Sequence, residues 1–193
     1  MTPFELAGPI ETERLLLRPF VAEDFDAVFA MQSRPDVARY LYWDARNEDE
    51  VRAALEKKVA ATAIRSEGDT VFLAAVLMST GELVGDMVVH LLSEEHSTAE
   101  IGFIVHPDYH GHGYATEAAR PLLKLAFEDV RVHRVIGRVE PRNVASARVL
   151  EKLGMRQEAH LIENEFVKGE WQSELVYAML DREWRAITER RDA

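Results

Sequence analysis

Residues 98–130 constrain the fold more than any other stretch. TAEIGFIV (98–105) has the composition of a strand, HPDYHGHGYA follows with two glycines one residue apart, and from Ala115 apolar side chains recur at Ala118, Ala119, Leu122, Leu123, Ala126, Phe127 and Val130. That i, i+3, i+4, i+7 series predicts a buried helix. Pro121 lacks a backbone donor inside it, so a kink or a loosened turn is expected there. A strand feeding a buried helix implies a sheet with a helix on its face.

The flanking segments extend this picture. ERLLLRPF (13–20) reads as a strand, and EDFDAVFAMQSR carries Phe25, Val28, Phe29 and Gln32 at helical spacing. Asn47 with Glu50 has the form of a capping box opening a helix whose stripe is Val51, Ala54, Leu55 and Val59. TVFLAAVLM (70–78) and ELVGDMVVHLL (82–92), joined by Ser79-Thr80-Gly81, predict a β-hairpin. HRVIGRV (133–139) is a further strand, Asn143 starts a helix through Leu153, and Gly154 suits a left-handed cap. Two strands around 155–166 and 171–180 and a polar helix complete an α+β pattern: a mixed, mainly antiparallel sheet flanked by helices. Without a repeat or a linker-like tract, the expectation is a single domain over residues 1–193.

Composition excludes several functions. The longest strongly apolar run, VFLAAVLM, has 8 residues, far below the roughly 18 that a membrane span needs. With no apparent signal peptide, a cytoplasmic protein without membrane association is expected. A net charge of −11 argues against nucleic acid as a partner and suits a cationic one, although acidity also serves plain solubility. The absence of cysteine removes thiol nucleophiles and Cys-ligated zinc. His106, His110 and His112 share no regular face, because Pro107 and two glycines interrupt them, so no metal is expected.

The turn HGHGYA (110–115) admits two readings. Gly111 and Gly113 can adopt positive φ and let an anion approach the free N–H groups of a helix start, or they can simply form a tight strand-to-helix turn. A P-loop is disfavoured because no Gly-Lys pair occurs, and the third position of a dinucleotide fingerprint is Thr116.

HGHGYA, preceded by EIGFIV and followed by Thr116-Glu117-Ala118, resembles motif A of the GNAT N-acetyltransferases, R/Q-x-x-G-x-G/A, with His110 at the R/Q position. ETERLLLRP (11–19), PRNVAS (141–146), EKLGM (151–155) and VKGEW (167–171) resemble the RimJ/RimL branch in the same order. The resemblance covers roughly residues 10–185 and implies acetyl-CoA as co-substrate. It implies a pyrophosphate site at His110, Gly111, His112, Gly113, Tyr114, Ala115 and Thr116. It also implies a pantetheine arm lying between TAEIGFIV and HRVIGRV, beside the backbone of Phe103, Ile104 and Val105 and hydrogen-bonded by Asn143.

Acetyl transfer to an amine requires a proton acceptor, a donor to the developing oxyanion and a proton source for the leaving thiolate. Glu100, which shares a strand face with Gly102 and Ile104, and Glu165 are the candidate bases; each could instead be a structural or exposed carboxylate. By resemblance the oxyanion donor is the Val105 N–H. The tyrosine that many relatives place seven residues after the equivalent of Asn143 is here Leu150, and the RimJ/RimL branch can use a serine at the position of Ser146, which also suits ordinary capping.

RYLYWDAR (39–46) falls where related enzymes form the acceptor pocket. Tyr40, Tyr42, Trp43 and Asp44 would suit an amine-bearing acceptor, a small molecule or a protein N-terminus, or would merely pack the loop. The reading is an acetyl-CoA-dependent N-acetyltransferase acting by direct attack in a ternary complex. The alternative is a non-catalytic acyl-CoA-binding sensor on the same fold, and monomer and homodimer both remain open.

Overall fold

The computed structural model describes residues 3–192. Among them an eight-stranded sheet runs in the order β2-β3-β5-β6-β7-β8-β10-β9, with β1 (Phe4–Glu5) and β4 (Ala63–Ile64) paired separately. Its strands are β2 (Ile10–Glu11), β3 (Leu15–Arg18), β5 (Thr70–Leu77), β6 (Leu83–Ser93), β7 (Thr98–Val105), β8 (Arg134–Val139), β9 (Arg156–Val167) and β10 (Glu170–Leu180). The β7–β8 pair is parallel and the other ladders are antiparallel. This is the α+β architecture expected from the sequence.

Helices cover both faces. α1 (Phe25–Gln32), the short α2 (Pro35–Ala38) and α3 (Glu48–Ala60) lie on one side, and α4 (Tyr114–Lys124) and α5 (Val144–Leu153) on the other, with α6 (Asp181–Asp192) following β10. β5 shows why its sequence reads as a continuous apolar run. Val71, Leu73, Ala75 and Leu77 face the larger core under α4, while Ala74 and Val76 face Phe20, Val28, Val51 and Leu55 on the opposite side. A strand buried on both faces does not alternate.

Two details differ from the sequence expectations. The α3 stripe is Val51, Leu55 and Lys58, with Ala54 half-buried and Val59 38% exposed. Lys58 turns inward because its Nζ meets the buried Asp86 carboxylate at 2.7 Å and lies 3.8 Å from the Phe72 ring centroid. The loosened turn expected at Pro121 lies downstream instead: Leu125–Val130 continue α4 with π-helical geometry, closed by Arg131 at φ 63°. The capping box on Asn47 and Glu50 and the left-handed Gly154 at φ 91° form as expected. No helix among the described residues is long and apolar enough to cross a membrane.

Candidate active site

The glycine turn lies between β7 and α4. Gly111 has φ 81° and Gly113, at the helix N-cap, φ 83°, so both adopt the left-handed conformation that favours glycine. No side chain caps the helix start, which leaves its first N–H groups and their partial positive charge facing outward. His110, His112, Tyr114, Ala115 and Thr116 surround this start, with the His112 ring stacked on Tyr114 at 5.6 Å.

A brace from far upstream holds the turn. Arg14 donates from Nε to Glu117 at 2.8 Å and from Nη1 to the His112 carbonyl at 3.0 Å, and its guanidinium lies over the Tyr114 ring. Thr12 donates to Glu117 at 2.7 Å. Burial by itself would push the Glu117 carboxyl up, but the hydrogen bonds from Thr12 and Arg14 outweigh it and hold the carboxyl below the ordinary range. A depressed folded value makes this stabilisation complete above the ordinary glutamate range, and it is lost as pH falls through the folded value. Chemical denaturation at several pH values should therefore find the parent more stable than Glu117→Gln by a constant margin near neutrality, and the margin should shrink on acidification below the carboxylate range. A pH-independent margin would assign the contacts no charge component.

Beside the turn the sheet opens. β7 and β8 stay in register for only three pairs, Thr98↔Arg134, Ala99↔Val135 and Glu100↔Ile136. Beyond them lies a cavity of about 250 Å³, lined by Glu100, Phe103, Ile104, Asn143, Ser146, Glu165, Tyr40 and Tyr42 among others. The His106 N–H donates to the Val84 carbonyl at 2.9 Å. Alternation along the antiparallel β6–β7 ladder then turns the backbone groups of Val105 and Phe103 away from β6, toward the gap. The Val105 carbonyl accepts from His110 Nε2 at 2.8 Å, which requires the proton on that nitrogen.

Asn143 caps α5, its Oδ1 accepting the Ser146 N–H at 3.2 Å. The Leu150 side chain is 2% exposed and packs against Gly137, where a Cβ would come within 2.9 Å of it. Tyr40 and Tyr42 reach the cavity, whereas Trp43 and Asp44 do not line it. The Trp43 ring packs under the Arg46 guanidinium at 4.2 Å, and Asp44 is an exposed carboxylate 3.7 Å from Lys168 Nζ.

The charged groups divide unequally. Both Glu100 oxygens accept from Arg138, at 3.0 and 2.8 Å, and this pairing raises the Arg138 pKa. Glu174, which the sequence reading does not single out, is 6% exposed and accepts from the Tyr42 hydroxyl at 3.3 Å. Burial pushes its carboxyl up, and Arg138 and the Tyr42 hydrogen bond oppose the shift. Burial together with the neighbouring Glu165 and Glu174 raises the Tyr42 phenol in turn. Alternation could have revealed Glu174 and Arg138, because each shares its strand face with apolar residues, Val176 and Ala178 for one and Ile136 for the other. Among the described residues no group of three or more metal-ligating side chains is placed to hold an ion.

Comparison with known proteins gives concordant matches. Residues 14–156 match the family model described as acetyltransferase (GNAT) domain. The chain is 34% identical over 176 residues to the uncharacterized N-acetyltransferase YnaD of Bacillus subtilis (strain 168), covering 91% of this chain and 98% of the relative. It is 24% identical over 171 residues to spermidine N(1)-acetyltransferase of Escherichia coli (strain K12), covering 88% of each. The crystal structure of a GNAT-family acetyltransferase from Bacillus anthracis superposes with a TM-score of 0.82 at 35% identity, covering 91% of this chain and 99% of that one.

Proposed function

Because this chain belongs to the acetyltransferase (GNAT) domain family, we propose that it moves an acetyl group from acetyl-CoA to a primary amine by direct attack in a ternary complex. The observation that carries this reading is the gap between β7 and β8, which opens directly beside an uncapped helix start with two left-handed glycines. The turn has room for a bound anion: a Cβ at Gly111 would meet nothing within 4 Å, and one at Gly113 only Arg14 Nη2 at 3.6 Å.

In this reading the backbone of residues 110–115 and the Thr116 hydroxyl hold the pyrophosphate, and the gap-facing backbone of Phe103 and Val105 with Asn143 holds the pantetheine arm, with Ile104, whose backbone groups face β6, between them. Bound acetyl-CoA supplies a thioester carbonyl as the electrophile. The Val105 N–H donates to the carbonyl oxygen as charge develops, and the Ser146 hydroxyl, which lines the cavity, delivers a proton to the departing thiolate. Leu150 has no hydroxyl for that task. Glu165 and Glu100 contribute negative charge toward an incoming ammonium. Tyr40 and Tyr42 form its aromatic wall, with Trp43 and Asp44 shaping the loop behind them.

The segments that resemble the RimJ/RimL branch favour a protein N-terminus, and the similarity to a spermidine acetyltransferase favours a small polyamine. The acidic, aromatic cavity suits the cationic amine common to both.

An acceptor panel tests the proposal. Thiol release from acetyl-CoA, followed over polyamines, amino acids and short peptides with free N-termini, should depend on at least one of these amines. Release that never exceeds the amine-free rate for any class, from protein that binds acetyl-CoA in a calorimetric titration, would refute it.

A further inference from the structure

We propose that Glu174 takes the proton from the acceptor ammonium, and that Arg138 withholds Glu100 from that role; the proposal rests on the acetyl-transfer reading above. Glu100, Arg138 and Glu174 occupy one face of the sheet. Glu100 is in register with Ile136, and Arg138 with Val176, two residues from Glu174 on the same side of β10. Both Glu100 oxygens are engaged by the Arg138 guanidinium, so a proton taken there would break a bidentate charged pair.

Glu174 is arranged differently. Its Oε2 accepts from the Tyr42 hydroxyl and lies 3.9 Å from Arg138 Nη1, whereas Oε1 makes no hydrogen bond among the described residues. Since none of the described buried side-chain oxygens lacks a partner, Oε1 is not fully buried, and Glu174 lines the cavity. One carboxylate oxygen is therefore held by the protein and the other is presented to a ligand.

The groups facing Glu174 set its basicity. Arg138 on β8 and Tyr42 on the acceptor loop favour its charged form, while burial and the acids Glu165 on β9 and Glu100 on β7 disfavour it, and burial is the largest effect. A carboxylate raised above its ordinary range takes a proton more readily than an unperturbed one. An alkylammonium of pKa about 10.4 is almost wholly protonated at pH 7, so the acceptor must give up a proton before its nitrogen can attack.

The step balances as follows. Glu174 Oε1 accepts one proton from R–NH₃⁺, and the freed nitrogen forms the C–N bond to the acyl carbon as the C–S bond breaks. The nitrogen's second proton passes through the Ser146 hydroxyl to sulfur, giving the free thiol. The proton on Glu174 then leaves to solvent with the amide product.

The test compares the parent with Glu174→Gln, using whichever amine supports thiol release. The expected result is a fall in kcat of about 10²-fold, unchanged acetyl-CoA affinity by calorimetry, and loss of the acid limb of the kcat/KM profile. A separate readout uses ¹³C-labelled glutamate carboxyls in the free protein. One signal, identified by its absence in Glu174→Asp, should titrate above the ordinary carboxylate range and coincide with that acid limb. An unchanged rate and pH profile in Glu174→Gln would overturn the proposal while leaving the acetyltransferase reading intact. A parent that releases no thiol with any amine would overturn both. Should Glu174→Gln fail to bind acetyl-CoA, the carboxyl titration decides, and an ordinary value at Glu174 overturns the proposal.

Discussion

Replacing Gly113 by glutamate should weaken acetyl-CoA binding by at least about 10³-fold, on two counts. A side chain in the left-handed conformation costs roughly 1–2 kcal/mol, and at φ 83° the turn relieves that strain only by rotating its N–H groups away from the anion. The new carboxylate would also stand where the pyrophosphate is expected, and two like charges about 4 Å apart repel by about 4 kcal/mol at an effective dielectric of 20. Steric room does not decide the outcome, because a Cβ at Gly113 would meet Arg14 Nη2 at an ordinary 3.6 Å. Gly113→Ala isolates the strain and should cost about tenfold, given the same 1–2 kcal/mol. Calorimetric titration of acetyl-CoA against the parent and both variants checks the result. Equal affinity in all three would return the glycines to the role of a tight turn.

Asp86→Leu should lower folding stability by about 3–5 kcal/mol, the usual effect of leaving one partner of a buried ion pair alone. Lys58 and Asp86 have side chains only 9% and 4% exposed and meet at 2.7 Å, so removing the carboxylate strands an ammonium against the Phe20 and Phe72 rings. The loss extends further, since Gln32 Nε2 donates to Asp86 at 3.4 Å and Arg46 Nη1 donates to Gln32 at 2.7 Å, tying the loop that follows α2 to the core. For a chain of this size each kcal/mol shifts Tm by about 2–4 °C, so a fall on the order of 10 °C is expected in a thermal melt. Lys58→Met combined with Asp86→Leu should recover most of it, because replacing both charges with apolar groups removes the penalty. A single variant as stable as the parent would show that water reaches Lys58 in solution.

The same ion pair marks a limit of reading the fold from the sequence. Counting apolar positions places Val59 in the α3 stripe, but Lys58 goes in because Asp86 is buried opposite, a partner 28 positions away that periodicity does not detect. Local chemistry was legible: β7 forms over the expected 98–105, the Asn47 box and Gly154 cap form, and both turn glycines take positive φ. These features depend on neighbouring residues alone. The Arg14–Glu117 brace, spanning 103 positions, and the assembly of Glu100, Arg138 and Glu174 from three strands depend on register, which a single strand does not encode. At Pro121 the missing donor was predictable, but the π-helical stretch at Leu125–Val130 has no signal in the local sequence.

The three-pair β7–β8 register also has a mechanical meaning. β2, β3, β5, β6 and β7 form one antiparallel plate, β8, β10 and β9 form another, and a short parallel seam joins them. The width of the cleft is therefore fixed by three backbone pairs, while the ladders within each plate are complete without it. Along that line the fold leaves its own hydrogen bonding unfinished, so strand edges that an ordinary sheet would pair with each other are left with unmet donors and acceptors.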